Sequence, residues 1–342
     1  MSGVDWTGWT EDLRRRVETR LRAYLESELA KARACSPESV ELVDAVTDLT
    51  LRGGKRLRPI VLACAHHAVA PAADLEPTVV PGAAMELLQT YFLIQDDWMD
   101  LDDERRGGPS VYAALRRRHG DDHLGASLAV LAGDLAAAYA CDVLAEADVP
   151  HGRLREVLAV FLEMQREVLF GQQLDLVTSP EVERMYDLKT GSYTVRGPLR
   201  IGALVADAGP AQLDALDRFA GPLGVAFQVR DELLGTFGDP AATGKPTGND
   251  LRAGKHTLLV AEARRAVPEA ERGALERVHG DATATDAEIA DAIALLDACG
   301  ARASVEARLR ALVEQAGAAL EGAPLETSRL RTLVAKLAVR DH

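Results

Sequence analysis

Apolar residues recur at helical spacing along almost the whole of this sequence. The longest stretches with this period cover residues 11–34, 37–51, 77–99, 122–148 and 211–237. Alanine, leucine, arginine and glutamate, which favour helices, are frequent, whereas aromatic residues make up only 4% of the chain. No hairpin signal is evident. The sequence therefore predicts an all-α fold.

The length and composition of the chain favour one large domain. Its 342 residues are 47% hydrophobic, which is enough to bury an extensive core. Further helices are predicted at 152–177, 181–190 and 192–207, and the chain from Lys255 onwards is helical in pattern. Because no linker separates these segments, we predict a single domain over residues 1–342.

The charge of the chain limits its partners. The formal net charge is −14, which disfavours general binding to nucleic acid or to an anionic membrane surface. Four widely separated cysteines without a CxxC pair indicate thiols in a reducing cytosol. No secretory signal is recognisable, and Asp134 and Asp142 interrupt the longest apolar stretch. We therefore predict a cytoplasmic protein without membrane insertion.

An acidic segment follows the apolar residues 87–94 directly. Asp96 and Asp100 are four residues apart, which places both carboxylates on one helical face. An arbitrary acidic run is usually a solvated helix end. Here, however, Arg105 and Arg106 follow within about ten residues, and a magnesium diphosphate needs both metal-binding carboxylates and guanidinium groups. The segment therefore predicts a site for a magnesium diphosphate.

A second acidic segment has the same arrangement. Asp231 and Glu232 close the apolar stretch at 211–237, and Lys245 and Lys255 follow in a glycine-rich loop. We expect the two acidic helix ends to face each other across a helical bundle, with metal ions between them and apolar walls beneath. Such a cavity suits an amphiphile with a charged head and an apolar tail.

Two other patterns carry little chemistry. Residues 238–245 superficially match a phosphate-binding P-loop, but five residues separate the glycines and Pro246 stands where Ser or Thr is needed. His66 and His67 are adjacent, so on a helix they point about 100° apart and do not suit a shared metal ion. We predict neither a nucleotide site nor a histidine metal site.

The ordered set of motifs resembles the trans-type short-chain polyprenyl diphosphate synthases, the farnesyl and geranylgeranyl diphosphate synthase family, over nearly the whole chain. The matching segments are GGKRLRP at 53–59, DDWMD at 96–100, RRG at 105–107, GQ at 171–172 with Asp175, KT at 189–190, FQ at 227–228 before Asp231, GD at 238–239, TGK at 243–245 and Lys255. The resemblance implies a class I isoprenoid synthase-type helical bundle around a central apolar cavity. It also implies a prenyltransferase that joins isopentenyl diphosphate head to tail to an allylic diphosphate.

The resemblance also implies roles for individual residues. Mg²⁺, as three ions when substrate is bound, would be held by Asp96, Asp100 and Asp231. The residues implied to hold the allylic diphosphate are Arg105, Lys189, Lys245 and Lys255. Those implied for isopentenyl diphosphate are Gly54, Lys55, Arg58, Arg106 and Gln89, a position where the family often has His. Thr190 and Gln228 would direct dipoles at the allylic carbocation, and a homodimer is expected because most members of the family form one.

The second acidic motif departs from the family's fullest form, which is Asp-Asp-x-x-Asp. Glu232 stands for the second acid and keeps the negative charge on a longer side chain, while Gly235 lacks the third carboxylate. Some members of the family also lack that third acid. The departures therefore leave activity possible and the metal affinity of this motif open.

Two aromatic residues bear on the length of the product. Burial of one five-carbon unit contributes roughly 4 kcal/mol at about 0.8 kcal/mol per CH₂, so a steric floor must stop chain growth. Tyr91 and Phe92 precede Asp96 by five and four residues, about 7.5 and 6 Å along a helix. In the family, bulky rings at both positions shorten the pocket. The resemblance thus implies farnesyl diphosphate (C15), and next geranylgeranyl (C20) or geranyl (C10) diphosphate.

Two other functions share some of these features. A class I terpene cyclase has the helical fold and the first acidic motif, but it has no use for a second diphosphate site, which Lys55, Arg58 and Arg106 supply. A non-catalytic regulatory subunit of a prenyl synthase would usually lack the acidic or basic motifs that this chain keeps. The preferred allylic substrate, the pathway and the choice of Mg²⁺ over Mn²⁺ stay open at this stage.

Overall fold

The computed structural model of the chain describes residues 5–238 and 247–338, and helices make up most of them. The predicted all-α class is confirmed. The chain groups into two compact units: unit 1 comprises the chain to Ala159 with Ile201–Ala208, and unit 2 comprises Val160–Arg200 with the chain from Gly209. The single-domain organisation stays a prediction.

The described part of unit 1 is built mainly from six helices. They are α1 (Trp6–Cys35), α2 (Pro37–Leu51), α3 (Leu57–Val69), α4 (Glu76–Met99), α5 (Val111–His119) and α6 (Asp122–Ala145). The side chains of Asp5, Ser36, Ser110 and Asp121 each accept a hydrogen bond from a backbone N–H of the helix that follows. A short 3₁₀ turn at Pro150–Gly152 leads to α7 (Leu154–Leu176), which continues into unit 2.

The core of unit 1 lies where α6 packs on α4. Small residues of α6, including Ala129, Ala132 and Ala136, are fully buried. A Cβ atom on Gly133 would lie 2.7 Å from Nε2 of Gln95, so the end of the Gln95 side chain occupies the space that this glycine of α6 leaves. Among the described helices, α6 alone is long and apolar enough to cross a membrane by length and composition, a test that the core helix of a soluble protein also passes.

A short β-hairpin follows the first acidic motif in unit 1. Strands β1 (Glu104–Arg105) and β2 (Gly108–Pro109) pair antiparallel, and the turn residues Arg106 and Gly107 both have positive φ, 53° and 71°. This is the pattern of a type I′ turn. Sequence analysis found no signal for this hairpin, because two-residue strands leave no alternation to detect and Arg occupies a turn position usually taken by Asn, Asp or Gly.

Unit 2 contains the remaining helices. After α7 come α8 (Val182–Tyr186), a π-helical segment (Asp187–Arg196), α9 (Gly197–Val205), α10 (Pro210–Phe237), α11 (Asn249–Arg252), α12 (Leu258–Ala266), a 3₁₀ turn (Glu269–Glu271), α13 (Gly273–Val278), α14 (Asp286–Ala298), α15 (Ala301–Ala319) and α16 (Ser328–Ala338). From Ile201 the chain of α9 belongs to unit 1. The two helices predicted at 181–190 and 192–207 are thus parts of one helical run.

Glycines explain why the π-helical segment packs as it does. A Cβ on Gly171 of α7 would lie 2.2 Å from the backbone N of Lys189, and one on Gly224 of α10 would lie 2.7 Å from Cα of Gly191. Backbones therefore meet directly on both sides of the segment. A stretch with i→i+5 hydrogen bonds is rare and often marks a functional site.

Candidate active site

A basic cluster, formed by Lys55, Arg56, Arg58 and Arg106, gathers in unit 1 at the end of α2. The last carbonyl groups of a helix lack intrahelical donors and carry partial negative charge. Arg106 Nη1 donates to the carbonyl of Leu49 at 3.1 Å, and Arg56 Nη2 donates to that of Thr50 at 2.9 Å. The carbonyl groups at the C-terminal end of α2 thus bind the side chains of both Arg56 and Arg106.

Two glycines shape the backbone beside this cluster. Gly53 and Gly54 have φ of 97° and 134°, which residues with side chains rarely adopt. A Cβ on Gly54 would lie 3.3 Å from Nη2 of Arg106, so the guanidinium lies directly against the glycine backbone. Lys55 is exposed and Arg58 is partly exposed in the first turn of α3. No described side chain caps the N-terminus of α3, an end that favours anions.

Arg56, which sequence analysis did not select, anchors this cluster. Its side chain is 1% exposed, and its Nη1 donates to Glu86 Oε2 at 2.7 Å while its Nε lies 3.3 Å from Glu18. Two carboxylates therefore balance its charge. Arg56 has positive φ at the start of α3, and the signal that could have revealed its role is the acid at position 86 within an apolar helix.

The pKa of Arg106 reports the crowding of cations. Burial lowers the pKa of Arg106, and the neighbouring Arg56, Arg58 and Arg105 lower it further, while Glu86 opposes them. Like charges held this close repel each other and would be stabilised by an anion. Lys55, Arg58, Arg106 and Gly54, all predicted for isopentenyl diphosphate, are thus brought to one place in unit 1.

Gln89 lies on α4, one turn after Glu86. It is 8% exposed, and its Oε1 has no hydrogen-bond partner among the described residues. Buried amide groups are normally satisfied, so such an atom calls for a bound molecule or water. The position predicted from the family resemblance is therefore compatible with a ligand contact.

The carboxylates of the first acidic motif differ in burial. Asp97 is fully buried and accepts a hydrogen bond from Arg105 Nε at 2.6 Å. Burial raises the pKa of Asp97 to about 6, against the opposing effect of Arg105. Asp96 and Asp100 lie one helical turn apart at the end of α4, where the N–H of Asp100 bonds to the carbonyl of Asp96 at 2.8 Å, and both are partly exposed.

Arg105, predicted as a ligand of the allylic diphosphate, is surrounded by acids. Besides Asp97, its Nη2 lies 3.2 Å from Asp102 Oδ2 and 3.7 Å from Asp96 Oδ2, and the side chain is 15% exposed. Much of its charge is therefore balanced within unit 1. Its clearest effect is to fix the loop after α4 to the buried Asp97.

The carboxylates fit magnesium only together with a ligand. Across residues 5–238 and 247–338, no three His, Cys, Asp or Glu side chains converge into a metal cage. Asp96 and Asp100 offer two carboxylates on one face, whereas Mg²⁺ requires about six oxygens and usually takes the rest from water and substrate phosphates. The residues therefore suit Mg²⁺ that arrives with a diphosphate.

Three predicted residues come together in unit 2. Lys189 Nζ lies 2.5 Å from Asp175 Oδ2 of α7, and Thr190 Oγ1 donates to Gln228 Oε1 of α10 at 2.8 Å. Lys189 and Thr190 are both in the π-helical segment. That segment thus presents a cation and a hydroxyl, each oriented by a partner on a neighbouring helix.

The second acidic motif also separates into an outward and an inward acid. Asp231 is exposed, whereas Glu232 is 3% exposed. Glu232 accepts hydrogen bonds from the Tyr186 hydroxyl and from the backbone N–H of Leu259, at 2.7 Å, and Leu258, at 3.3 Å. Burial raises the pKa of Glu232, and these hydrogen bonds oppose the shift. Sequence analysis interpreted Glu232 as the motif's second acid, with its charge on a longer side chain, and the structure uses that carboxylate to cap α12.

Asp250 is a carboxylate that sequence analysis missed. A Cβ on Gly235 would lie 3.8 Å from Asp250 Oδ2, and the N–H of Gly248 bonds to the carbonyl of Gly235 at 3.3 Å. A carboxylate from another segment of unit 2 thus lies near the position where the motif's third acid is missing. Its signal in the sequence is an acid within the glycine-rich loop before Lys255.

The segment that carries Lys255 is held from two sides in unit 2. His279 Nε2 lies 3.2 Å from the Lys255 carbonyl oxygen, while Glu232 caps the helix that begins at Leu258. Lys255 itself is partly exposed. Lys245 lies outside the described residues.

Tyr91 and Phe92 form a tilted pair on α4. They are 9% and 8% exposed, and their ring centroids are 5.0 Å apart at 44°. Burial raises the pKa of the Tyr91 hydroxyl, with a further contribution from Asp134. Two bulky rings therefore occupy the inner part of unit 1 one turn before Asp96.

Comparisons with known proteins agree on one family. The family model described as Polyprenyl synthetase matches residues 40–296. A short chain isoprenyl diphosphate synthase of Methanocaldococcus jannaschii is 34% identical over 75% of this chain and 76% of its own length. The farnesyl diphosphate synthase of Escherichia coli is 34% identical over 64% of this chain and 74% of its own length. A crystal structure of geranylgeranyl pyrophosphate synthase from Corynebacterium glutamicum, complexed with isoprenyl diphosphate and magnesium, has 31% identity and a TM-score of 0.89, and covers 97% of this chain and 99% of that one.

Proposed function

Because this chain belongs to the polyprenyl synthetase family and is a short-chain prenyltransferase, we propose that it extends allylic diphosphates with isopentenyl diphosphate and stops at farnesyl diphosphate. Geranylgeranyl and geranyl diphosphate are the next candidates for the final product. The observation that carries the proposal is that unit 1 holds outward carboxylates, at Asp96 and Asp100, and a crowded basic cluster. A diphosphate that binds with metal ions needs the carboxylates, and a diphosphate that binds without metal needs the basic cluster.

The basic cluster binds isopentenyl diphosphate in this proposal. Lys55, Arg58 and Arg106 supply positive charge, and Gly54 lets the guanidinium of Arg106 lie against the backbone. The first turn of α3 adds the positive end of a helix dipole. Gln89 completes the set with a buried amide.

The carboxylates and lysines hold the allylic diphosphate. Asp96 and Asp100 in unit 1, and Asp231 in unit 2, would contribute oxygens to three Mg²⁺ ions. When bound, Mg²⁺ neutralises diphosphate oxygens and stabilises the leaving group. The side chains proposed to bind the diphosphate are Arg105, Lys189, Lys245 and Lys255.

The hydroxyl of Thr190 stabilises the positive charge that forms when the allylic C–O bond breaks. Because its hydrogen points to Gln228 Oε1, its oxygen lone pairs are left to face the cation. The double bond of isopentenyl diphosphate then attacks, and the departed diphosphate accepts the final proton. No side-chain nucleophile takes part.

Exposed leucines support a homodimer. Leu124 and Leu131 on α6 are 40% and 51% exposed, and on α7 Leu162, Leu169 and Leu176 are 43%, 47% and 52% exposed. A spacing of seven residues places each set on one face of its helix. Apolar stripes of this kind mark interaction surfaces, and we assign them to a second copy of the chain in the cytoplasm.

The test is to incubate purified protein with Mg²⁺, isopentenyl diphosphate and, separately, dimethylallyl, geranyl or farnesyl diphosphate. The dephosphorylated products are then sized by mass spectrometry. We expect growth in five-carbon steps that ends at C15, and a shift to C20 or longer when Phe92→Ala or Tyr91→Ala removes a ring. Phe219→Ala, which removes a fully buried ring in unit 2, is the control and should leave product length unchanged. A cyclic hydrocarbon would indicate a cyclase, and no product would indicate a regulatory subunit.

A further inference from the structure

Arg52, the residue that ends helix α2, holds the β1–β2 hairpin of unit 1. Its Nη1 donates to the carbonyl oxygens of Arg105, at 2.9 Å, and Pro109, at 2.8 Å, on the two strands of the hairpin. Its guanidinium also forms an ion pair with Asp48, one turn earlier in α2. Because the side chain is only 17% exposed, its donors are directed at the hairpin and not at solvent.

The hairpin turn needs outside support. Arg106 has φ of 53°, which residues with side chains adopt only where their surroundings enforce it. Two contacts with the last turn of α2 supply that support. Arg106 Nη1 reaches the Leu49 carbonyl at 3.1 Å, and Arg52 Nη1 reaches the hairpin backbone from the opposite direction. The Leu49 carbonyl of α2 thus holds the side chain of Arg106, and the side chain of Arg52 holds the hairpin backbone on both sides of Arg106.

Gly108 is matched to Arg52. A Cβ on Gly108 would lie 2.8 Å from Arg52 Nη1 and 3.0 Å from its Cζ. The φ of Gly108 is not positive, so alanine would meet no backbone strain there. The space left by this glycine is therefore filled by the Arg52 guanidinium, and a methyl group would displace it.

The two arginines of the hairpin differ in their dependence on this contact. Arg105 is fixed independently by Asp97, which is fully buried, and by Asp102. For Arg106, the side-chain contacts described above are the Leu49 carbonyl and the backbone of Gly54. Loosening the hairpin should therefore move Arg106 more than Arg105.

We propose that Arg52 is a positioning residue for isopentenyl diphosphate. It acts through the hairpin, whose fixed turn keeps the guanidinium of Arg106 against Gly54 within the basic cluster. Its donors contact Asp48 and the hairpin carbonyls, so it does not itself touch the substrate. The inference rests on the proposed function of the basic cluster as the isopentenyl diphosphate site.

The experiment measures steady-state kinetics and binding for Arg52→Ala, Arg52→Lys and Gly108→Ala in the full chain. Loss of the two carbonyl contacts should raise KM for isopentenyl diphosphate about tenfold, while KM for the allylic diphosphate changes less than about twofold. Arg52→Lys keeps the charge but not the forked donor geometry, so its effect should be intermediate. Gly108→Ala should act like Arg52→Ala, because it displaces the same guanidinium without removing a charge.

Asp48→Asn is the matched control. It removes the ion pair with Arg52, whose partner Asp48 is 63% exposed, and leaves both carbonyl contacts in place. Its KM for isopentenyl diphosphate should stay within about twofold of the wild-type value. An equal rise in Asp48→Asn and Arg52→Ala would overturn the proposal in favour of a general effect of surface charge.

Calorimetric titration with isopentenyl diphosphate alone separates this inference from the proposed function. If the wild-type chain extended no substrate but bound isopentenyl diphosphate, weaker binding by Arg52→Ala and Gly108→Ala, and not by Asp48→Asn, would still support it. Unchanged binding in the first two variants, or equal losses for both substrates with a lowered Tm, would overturn it. Absence of binding by the wild-type chain would overturn it as well.

Discussion

Two helices carry a pair of adjacent acids near their C-terminal ends, α4 in unit 1 and α10 in unit 2, and the buried acid of each pair has a different kind of partner. In each, the first acid of the pair is the more exposed one and the second is buried. The buried acid of unit 1, Asp97, binds the side chain of Arg105. That of unit 2, Glu232, caps the backbone of α12 just after Lys255.

The comparison shows that adjacent acids in such a motif have separate tasks. Neighbouring positions on a helix point about 100° apart, so one carboxylate faces outward and the next faces the core. In both units the inward acid fixes the segment that carries a cation predicted to bind diphosphate. The charge proposed to bind metal and the charge that fixes the neighbouring segment are therefore supplied by different residues.

The largest expected effect is on the outward acids. Asp96→Asn and Asp231→Asn should each lower kcat by roughly 10² to 10³, because each removes a charge that would hold metal against the leaving diphosphate. Thermal unfolding of both variants should match the wild type, since both side chains are at least partly exposed. A large loss in only one of them would break the proposed equivalence of the two helix ends.

The next largest expected effect is on stability, and it compares Glu232 with its neighbour Asp231. Glu232→Ala should lower the free energy of unfolding by about 3 kcal/mol, because it leaves the Tyr186 hydroxyl and the backbone N–H of Leu259 without their acceptor, while the N–H of Leu258 keeps the Tyr186 oxygen at 3.0 Å. Asp231→Ala should change it by less than about 0.5 kcal/mol. Urea denaturation measures both values. Equal stabilities would contradict the assignment of Glu232 to positioning.

A smaller effect tests the direct backbone contact in unit 2. Gly171→Ala would place a methyl group 2.2 Å from the backbone N of Lys189, so it should cost about 1–3 kcal/mol of stability and raise KM for the allylic diphosphate. Gly317→Ala, on α15 with open space around it, should instead stabilise by about 0.5–1 kcal/mol. If Gly171→Ala left KM unchanged, the contact would be structural and would not position Lys189.

The smallest expected effect is on the pH dependence of stability, and it compares His279, which titrates near neutral pH, with Arg52, which does not. Burial lowers the pKa of His279, with a further contribution from Arg264, while the Lys255 carbonyl beside the ring opposes the shift; in unit 1, by contrast, Arg52 holds the hairpin. Below about pH 6.5 the unfolded state binds a proton that folded His279 resists, so this group makes stability fall as the pH falls. His279→Gln should reduce that dependence between pH 7 and 5 in urea denaturation. Arg52→Ala should leave the dependence unchanged.

Much of the fold followed from local pattern. The predicted helix at 37–51 coincides with α2, and those at 77–99 and 211–237 differ from α4 and α10 by one residue at the start. These segments have strong periodicity, and a proline stands in the first two positions of each helix. The hairpin and the π-helical segment did not follow, because short strands carry no period and a π-helix depends on glycine contacts with other helices.

Some residues of the candidate site were predicted from the sequence, and others were found only in the structure. Lys55, Arg58 and Arg106 were found from their motifs, and the structure brings them together at the end of α2. Arg52, Arg56 and Asp250 were missed, because each is identified only by its partner in the fold. Arg52 contacts the backbone at positions 105 and 109, Arg56 pairs with the acid at position 86, and Asp250 lies near position 235. Those partners are distant in sequence.

The sequence by itself determined the class of fold, the family and the order of the acidic and basic motifs along the chain. These depend on periodicity and on residue type in a fixed order, which a linear chain displays directly. Only the tertiary structure decided which of two adjacent acids is buried, because both have the same charge and their surroundings differ. It also decided that Glu232 caps a helix and that Arg52 holds a hairpin, since a hydrogen bond forms only where folding brings donor and acceptor within about 3 Å.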